Sequence, residues 1–512
     1  MPDVVGPEYH TRQPSVSSVM QTQRLLRVAL WSILLAAATY TSTDPDLWGN
    51  VRFGLDILRD ASIPHVDPYS FTADHAWINH EWLSEVITAG AFRLGGNPGL
   101  ILLKLATIGG MLLFLNSTLR REGVDAAIVR DGATAVAVIL TMEQTRHIRP
   151  QLFSLVCFAA LLWCLMAARR GSHRWLLILP PLFAVWANLH GGWLVGGGVL
   201  ALWTLGVAVS GDRRQTAWCL AIGVASLCTT LLTPYGLDLW TFLRNTVGFS
   251  RADIVEWQPV YVLGWDTLIR WSLTFALGML AVVLVGRTDR RPQQMVALLA
   301  LAAASFMVTR LQAFFALTVL FLVGAGIGRA CQRSRAEVAT PPRAGSHRGM
   351  AAIALGVTAA ALVVIATNLT HLRVDPRFTP GPGAVAFLNT EPPGARVLVW
   401  FDWSEYGIWH LAPRMRVSID GRRETVYSPS LQDRHMRFYF DAPGGSALPR
   451  DLSADYIWIP RTLPVVQRLA DDGWRRLYED DQSVVFGRTV PQRSNVPVMI
   501  TAAALTRMFP GP

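Results

Sequence analysis

The sequence predicts a polytopic α-helical membrane protein of about eleven transmembrane helices, followed by an extracytoplasmic α/β domain. Three observations carry this. Of 512 residues, 51% are hydrophobic and 16% charged, with a mean hydropathy of +0.32, more apolar surface than a water-soluble chain of this length can bury. Along residues 25–370, apolar runs of spanning length, about 20 residues each, alternate with short Arg clusters. Residues 371–490 then change to a soluble character, with short apolar stretches between polar ones.

Taken in order, residues 1–24 lack the short apolar core and small-residue cleavage site of a secretory signal and read as a disordered cytoplasmic lead. A first span over 25–43 opens into an extracytoplasmic loop, 43–96. Further apolar runs lie near 97–118, 152–168, 175–190, 193–210, 216–233, 266–286, 294–309, 311–328 and 349–367. The short run "GATAVAVILTMEQ", after Arg130 and Asp131, counts as a span because the later loops otherwise break the charge rule. With it, Arg120 and Arg121, then Arg169, Arg170 and Arg174, then Arg213 and Arg214, then Arg287, Arg290 and Arg291, then residues 329–348, share one side, which is the cytoplasm. The N-terminus is then inside and everything after Asn368 outside. Within 371–490, "ARVLVWFD", "MRVSID" and "DYIWIP" read as buried strands and "TLPVVQRLADDGW" as an amphipathic helix before "SVVFGR". The tail, 491–512, has an apolar run too short to span but able to rest on a membrane surface.

The net charge of +10, from 46 Lys and Arg against 36 Asp and Glu, does not point to nucleic acid. The cations sit between apolar runs and not on one basic face interleaved with exposed aromatics. Cys157, Cys164, Cys219, Cys228 and Cys331 have no metal-ligand spacing, so neither a zinc site nor a disulfide framework is expected.

Chemistry concentrates after the first span, in "TDPDLWGNVRFG" (43–54). Asp44 stands where an N-cap should, Pro45 at the first helical position, and Leu47, Val51, Leu55 and Leu58 form an apolar stripe, giving a helix laid on the membrane surface. A cap does not require Asp46, nor His65, Asp67, His80 and Glu81 in the same loop. A helix N-terminus favours ionised carboxylates, which suit orientation of a hydroxyl or coordination of a metal. Asp44 is favoured because it lies nearest the end of the first span. Cations stand at the outer ends of spans: Arg146, His147 and Arg149 in "TRHIRPQ", His190 in "NLHGGW", Arg310 in "VTRLQAFF", and Lys104 about two turns inside the second span.

Structural roles compete with each. Lys104 could ion-pair with a loop acid or reach headgroups. "HGGWLVGGG" suits close helix packing. Trp48, Trp77, Trp82, Trp186, Trp193 and Trp257 suit an aromatic belt, and "IDGRRE" reads as a strand and a turn. "VEWQP" at Glu256 echoes "HEWL" at Glu81 without a physical reason visible in the sequence.

The order of a first span, "DPDLW", "IPHVDPYSFT", "HEWL" and a second span resembles the GT-C superfamily of membrane glycosyltransferases, and "FDWSEYGIWHLAPRMRVSIDGRRE" is similar to the extracytoplasmic domain of that family. The resemblance implies a GT-C-like fold. It also implies transfer of a sugar from a polyprenyl-phosphate donor to a lipid, glycan or protein acceptor in the envelope, at the outer face of the bacterial inner membrane, usually with inversion. The family carboxylate, acting as base or as metal ligand, maps to Asp44 or Asp46, with Glu81 a further catalytic candidate. A divalent cation, Mg or Mn, would be held by Asp44 and Asp46. His80, Lys104, Arg146, Arg149, His190 and Arg310 would bind the lipid phosphate or the sugar. The partners are then the lipid-linked donor, membrane lipids and the acceptor, with no nucleic acid. A transporter or flippase of lipid-linked sugars would share the intramembrane cations but needs no acidic loop. A non-catalytic envelope assembly protein would use the tail domain for interaction and could dispense with the loop carboxylates.

Overall fold

The computed structural model describes residues 16–246, 254–286, 290–337, 346–375, 378–488 and 508–511. The first part is helical: α1 (Val16–Thr39), α2 (Asp46–Asp60), α3 (Trp82–Arg121), α4 (Ala127–Thr145), α5 (Gln151–Arg169), α6 (Leu179–Leu189), α7 (Trp193–Val209), α8 (Arg213–Thr229), α9 (Leu237–Thr246), α10 (Trp265–Val285), α11 (Pro292–Met307), α12 (Gln312–Leu322), α13 (Gly324–Glu337) and α14 (Ser346–Thr370). Among the described residues, α3, α5, α10 and Gly349–Thr370 within α14 are long and apolar enough to cross a membrane. Thr309–Leu322 and Gly324–Ser334, bent by 51°, make a fifth if counted as one broken span. The described part thus carries four or five helical segments with the length and composition of membrane spans. Among the described residues, the apolar runs marked as spans are largely helical, but the helices are unequal, and α7 and α11 are shorter apolar pieces.

Helix α1 begins at Val16, inside the stretch expected to be a disordered lead, because "VSSVMQTQR" continues the helix with polar residues ahead of its apolar part. Residues 1–15 lie outside the described residues. Helix α3 has 40 residues and would reach about 60 Å if straight, twice the thickness of a bilayer core. It breaks at Gly96, whose φ of 56° and ψ of −140° are open to glycine, just before Pro98. The half before the break lies in the stretch expected as loop. Helix α5 is buried on nearly every side, the pattern of a helix at the centre of a bundle, and its first turn therefore enters the middle of the molecule.

Helix α2 does not lie free on a membrane surface. Leu47, Trp48, Val51, Phe53 and Ile57 are buried, while Leu58 from the expected stripe is exposed. The helix packs between α3 and α16 (Ser404–Leu411) of the C-terminal part. That part also contains α15 (Pro382–Thr390), α17 (Pro429–Tyr439), α18 (Leu448–Asp451) and α19 (Val465–Asp471). They surround a five-stranded sheet of β1 (Arg396–Val399), β2 (Arg416–Val417), β3 (Tyr456–Pro460), β4 (Arg475–Glu479) and β5 (Ser483–Gly487), in the order β2-β1-β3-β5-β4. The first three are parallel, and β5 and β4 are antiparallel additions. The unbroken apolar runs in β1, β3 and β5 are buried, as both faces of a covered sheet require. The edge strand β4 has no apolar alternation, so the sequence did not mark it.

The first loop and the C-terminal part form one body. The loop lies along β2, with Phe71 N–H donating to Val417 O and Val417 N–H to Tyr69 O, both at 3.1 Å. Leu47, Trp48, Phe53 and Trp77 share a core with Val397, Trp403 and Trp458. At the centre Arg422 donates to Asp67 at 2.7 Å and to Asp420 at 2.8 and 2.6 Å, under the ring of Trp77 at 4.5 Å. Asp67 is fixed in turn by the N–H groups of Tyr69 and Ser70 at 2.9 and 3.1 Å. The apolar run of the tail, expected to rest on a membrane surface, lies in residues 489–507, outside the described residues; beyond it Phe509 is buried against Trp48, Phe92 and Trp409, and Trp48 Nε1–H donates to Pro510 O at 2.7 Å.

Replacing Arg422 with Met leaves two buried carboxylates without their counter-charge, a loss of about 3–5 kcal/mol. The purified variant is expected to melt earlier and to release the 371–490 region to protease. Unchanged melting and protection would show that the Arg422 bridge does not hold the two parts together.

Candidate active site

A cavity of about 490 Å³ opens where the helix bundle meets the C-terminal part. Its walls come from the start of α2, the turn before α3, the start of α5, the turn between α6 and α7, α9 and the turn before α12, and residues 421–425 close it from the C-terminal side. Of the sequence candidates, Asp46, His80, Glu81, Arg149, His190 and Arg310 line it.

Arg149 precedes Pro150 and the first turn of α5. It pairs through Nε with Asp44 and through Nη1 with Glu256, and stands 3.8 Å from Asp46 Oδ2. Glu256 in turn lies 3.5 Å from Arg310 Nη1, and Arg310 Nη2 3.4 Å from His190 Nε2. Glu81 Oε1 is 3.7 Å from both His190 Nε2 and His80 Nε2. One chain of charged and polar groups thus runs round the cavity.

The two carboxylates of "DPD" share Arg149 but differ in exposure. Asp44 is 2% exposed and committed to Arg149, whereas Asp46 keeps 43% of its side-chain surface open to the cavity. Helix α2 starts after Pro45, which offers no side-chain cap, and the Asp44 carboxylate just before it pairs with Arg149. Glu405 of α16 reaches in and accepts Gly49 N–H at 3.0 Å. This close approach needs glycine, since a Cβ at Gly49 would lie 2.2 Å from Glu405 Oε2. Gly421 is similarly enclosed: a Cβ there would lie 2.6 Å from Glu405 Oε1 and 2.8 Å from Asp46 Oδ1.

Protein walls replace part of the water round these acids, least at Asp46 and Glu256. Burial pushes Asp46 up to about 6, with Arg149 pulling down and Asp44 and Glu256 adding to the rise. Burial also raises Asp44 despite Arg149, and raises Glu81 and, more strongly, Glu405. For Glu256 the same burial is outweighed by Arg149 and Arg310, which hold it below its usual range. Asp44 Oδ1, His80 Nδ1 and Gln151 Nε2 are buried without a hydrogen-bond partner among the described residues, as groups awaiting a ligand or water would be.

Lys104 and Arg146 stand elsewhere. Lys104 is fully buried and donates from Nζ to Tyr40 O at 2.7 Å, tying α3 to the chain leaving α1. Arg146 lies beside Glu143 at 3.7 Å. The sequence missed Glu256, visible only as an echo, and Glu405, Arg423 and Glu424, which the C-terminal part brings to the cavity. Asp67, Asp420 and Arg422 build the joint behind the site.

The guanidinium of Arg149 occupies the ground between Asp44 and Asp46 that the resemblance would give to a divalent cation. Among the described residues, no group of three or more His, Cys, Asp or Glu side chains is placed to hold a metal.

No known family model matches the chain, and no curated protein matches it in sequence. Solved structures do. The oligosaccharyltransferase of Archaeoglobus fulgidus, tethered with an acceptor peptide containing an NVT sequon, aligns with a TM-score of 0.55 at 11% identity, over 92% of this chain and 75% of its own. ArnT from Cupriavidus metallidurans aligns over 93% of this chain, with a TM-score of 0.52 at 14% identity over 100% of its own length in the apo state, and 0.51 at 13% over 99% when bound to undecaprenyl phosphate. The mycobacterial arabinofuranosyltransferase AftD gives 0.53 at 16% identity over 92% of this chain, which spans only 42% of that protein. All are GT-C superfamily membrane glycosyltransferases, and this chain has the GT-C fold.

Because the pKa of Asp46 in the folded chain lies above the ordinary value of 3.8, its charge opposes folding once pH exceeds about 6, and this penalty fades as pH falls toward 4. Asp46→Asn is therefore expected to raise the melting temperature at pH 7.5, with the gain shrinking steadily below pH 6. A variant that melts lower at every pH would contradict the strained-carboxylate reading.

Proposed function

We propose that the chain is a GT-C membrane glycosyltransferase of the bacterial inner membrane. It moves a sugar from a polyprenyl-phosphate carrier to a lipid, glycan or protein acceptor at the outer face, with inversion. The observation that carries this reading is the cavity in which Asp46, a carboxylate of raised pKa, faces the cations Arg149 and Arg310. The acceptor hydroxyl attacks the anomeric carbon from the side opposite the phosphate. As the new bond forms, the bond from that carbon to the phosphate oxygen breaks with its electron pair, and Asp46 takes the hydroxyl proton. Arg310 and His190, with Arg149 behind them, stabilise the charge that develops on the departing phosphate. The apolar wall of Leu194, Val195, Phe242, Leu243 and Leu311 suits a polyprenyl chain beside that phosphate. ArnT, a structural neighbour of the same fold, was captured with undecaprenyl phosphate, which supports a carrier of this class.

The transporter reading finds less support. The charges at the cavity gather at one end of the bundle, while α5 and α12 at its centre are lined by buried apolar side chains. A path for a lipid-linked sugar would need polar groups through both leaflets.

Transfer is expected to be abolished by Asp46→Asn while the protein accumulates and inserts normally, because the amide keeps the shape but loses the proton acceptor. Wild-type turnover should fall as pH drops below about 6, where Asp46 takes up its proton. The readout is mass spectrometry of envelope glycans and lipid-linked sugars with and without the gene, then of the purified chain. Full activity of Asp46→Asn would refute the role of that residue.

The proposed topology places the N-terminus in the cytoplasm and the C-terminal part outside. A reporter fused after Asn368 should be active outside the cytoplasm, and one near Arg335 inside; the opposite pattern would invert every assignment of sides.

A further inference from the structure

Beneath the cavity, three buried side chains form a line toward it. Ser154, in the first turn of α5, and Trp186, near the end of α6, are fully buried, and His190 follows α6 directly. Trp186 Nε1–H donates to Ser154 Oγ at 2.8 Å, and Ser154 Oγ lies 2.7 Å from His190 Nδ1. Gly192 N–H donates to the same Nδ1 at 3.0 Å. A ring nitrogen that accepts a backbone N–H carries no proton itself, so in the neutral imidazole the proton must sit on Nε2. The Ser154 hydroxyl, already accepting from Trp186, then shares the single lone pair of Nδ1 with the Gly192 amide as a second donor.

The other ring nitrogen faces the cavity, 3.4 Å from Arg310 Nη2. With its proton on Nε2, His190 is a donor, and the Arg310 guanidinium can only donate. Two donors that close have nothing to exchange, and the Glu81 carboxylate, 3.7 Å from Nε2, is beyond hydrogen-bond reach. The group that satisfies both is an anionic oxygen placed between them on the cavity side.

We propose that Ser154 is a positioning residue. Together with Trp186 and the Gly192 amide it fixes His190 as an Nε2–H donor, and this donor and Arg310 form one notch for a phosphoryl oxygen. This rests on the donor reading given above and adds the device that orients one of its groups. It also accounts for "HGG" without appeal to helix packing. A Cβ on Gly192 would lie 2.3 Å from Ser154 Oγ and 3.0 Å from His190 Nδ1, so a side chain there would break the relay.

The test uses the full chain in lipid nanodiscs with 15N-labelled histidine, the His190 signals being assigned by their loss in His190→Ala. Undecaprenyl phosphate and inorganic phosphate serve as separate probes. Wild type should show Nδ1 unprotonated and Nε2 protonated, and should bind undecaprenyl phosphate. In Ser154→Ala, which removes one atom and no volume, the Nδ1 signal should shift toward a mixed tautomer and binding should weaken roughly two- to tenfold, the effect of one hydrogen bond. Gly192→Ala should do the same more strongly. Competition by inorganic phosphate at equal concentration would assign the notch to the phosphate group alone, and its absence to the lipid-linked form. A protonated Nδ1 in wild type, or unchanged tautomer and affinity in Ser154→Ala, would overturn the relay while leaving the donor reading intact. A wild type with the expected tautomer that shifts in Ser154→Ala, but with no affinity for undecaprenyl phosphate, would overturn the donor reading and leave the relay standing.

Discussion

The site hangs on one guanidinium. Arg149 must sit between Asp44 and Glu256, partners 105 and 107 positions away in sequence, and with it the first loop, the start of α5 and the turn around residue 256 take their places. Asp44 above all cannot be left alone so far from water, because a buried ion without its partner costs several kcal/mol. The arrangement therefore acts as a lock more than as a source of net stability. It also decides what each carboxylate of "DPD" can do: Asp44 holds the lock, and Asp46, held nearby by the same turn, is left facing the cavity.

A second constraint comes from the C-terminal part. The Arg422 bridge, the Glu405 contact with the start of α2 and the shared aromatic core make it a wall of the site. The contact of Glu405 with Gly49 N–H shows the dependence most directly. The start of α2, whose backbone donors a local residue would normally satisfy, relies on a carboxylate more than 350 residues later, |i−j| being 356. Any movement of the C-terminal part is transmitted to the turn that carries Asp46.

The same separation in sequence sets what could be read from the sequence. Residue type and position at the ends of apolar runs were enough to bring together Asp46, Glu81, His80, Arg149, His190 and Arg310, because charge in such places is costly and is kept for a reason. They could not tell Asp44 from Asp46. The cap expected of Asp44 is a local signal, whereas the arginine that pairs with it is a distant partner. Lys104 looked like a phosphate ligand for the same reason that it is buried: a lone cation in an apolar helix needs an acceptor, and a backbone carbonyl at the end of α1 serves. Glu256 and Glu405 carried no local signal. The helical runs were legible from apolar length, whereas the outer half of α3 and the edge strand β4 are set by packing and pairing that periodicity does not show.

For the transfer proposed here, the distance of Asp46 from Arg149 matters as much as its presence. A closer ion pair in a more solvated setting would favour the ionised form and leave a weak base. Burial with no cation nearby would keep the carboxyl protonated and unable to accept. At 3.8 Å the guanidinium offsets only part of the desolvation, and the result, about 6, lies where a carboxylate is ionised at neutral pH yet still takes up a proton readily. The surrounding carboxylates contribute to the same balance: Asp44 and Glu256 both raise Asp46, and both also neutralise Arg149, so its pull on Asp46 is moderated twice. An excess of acids over cations at a site meant to hold a phosphate looks unfavourable, but it is what keeps Asp46 a usable base beside the charges that receive the leaving group.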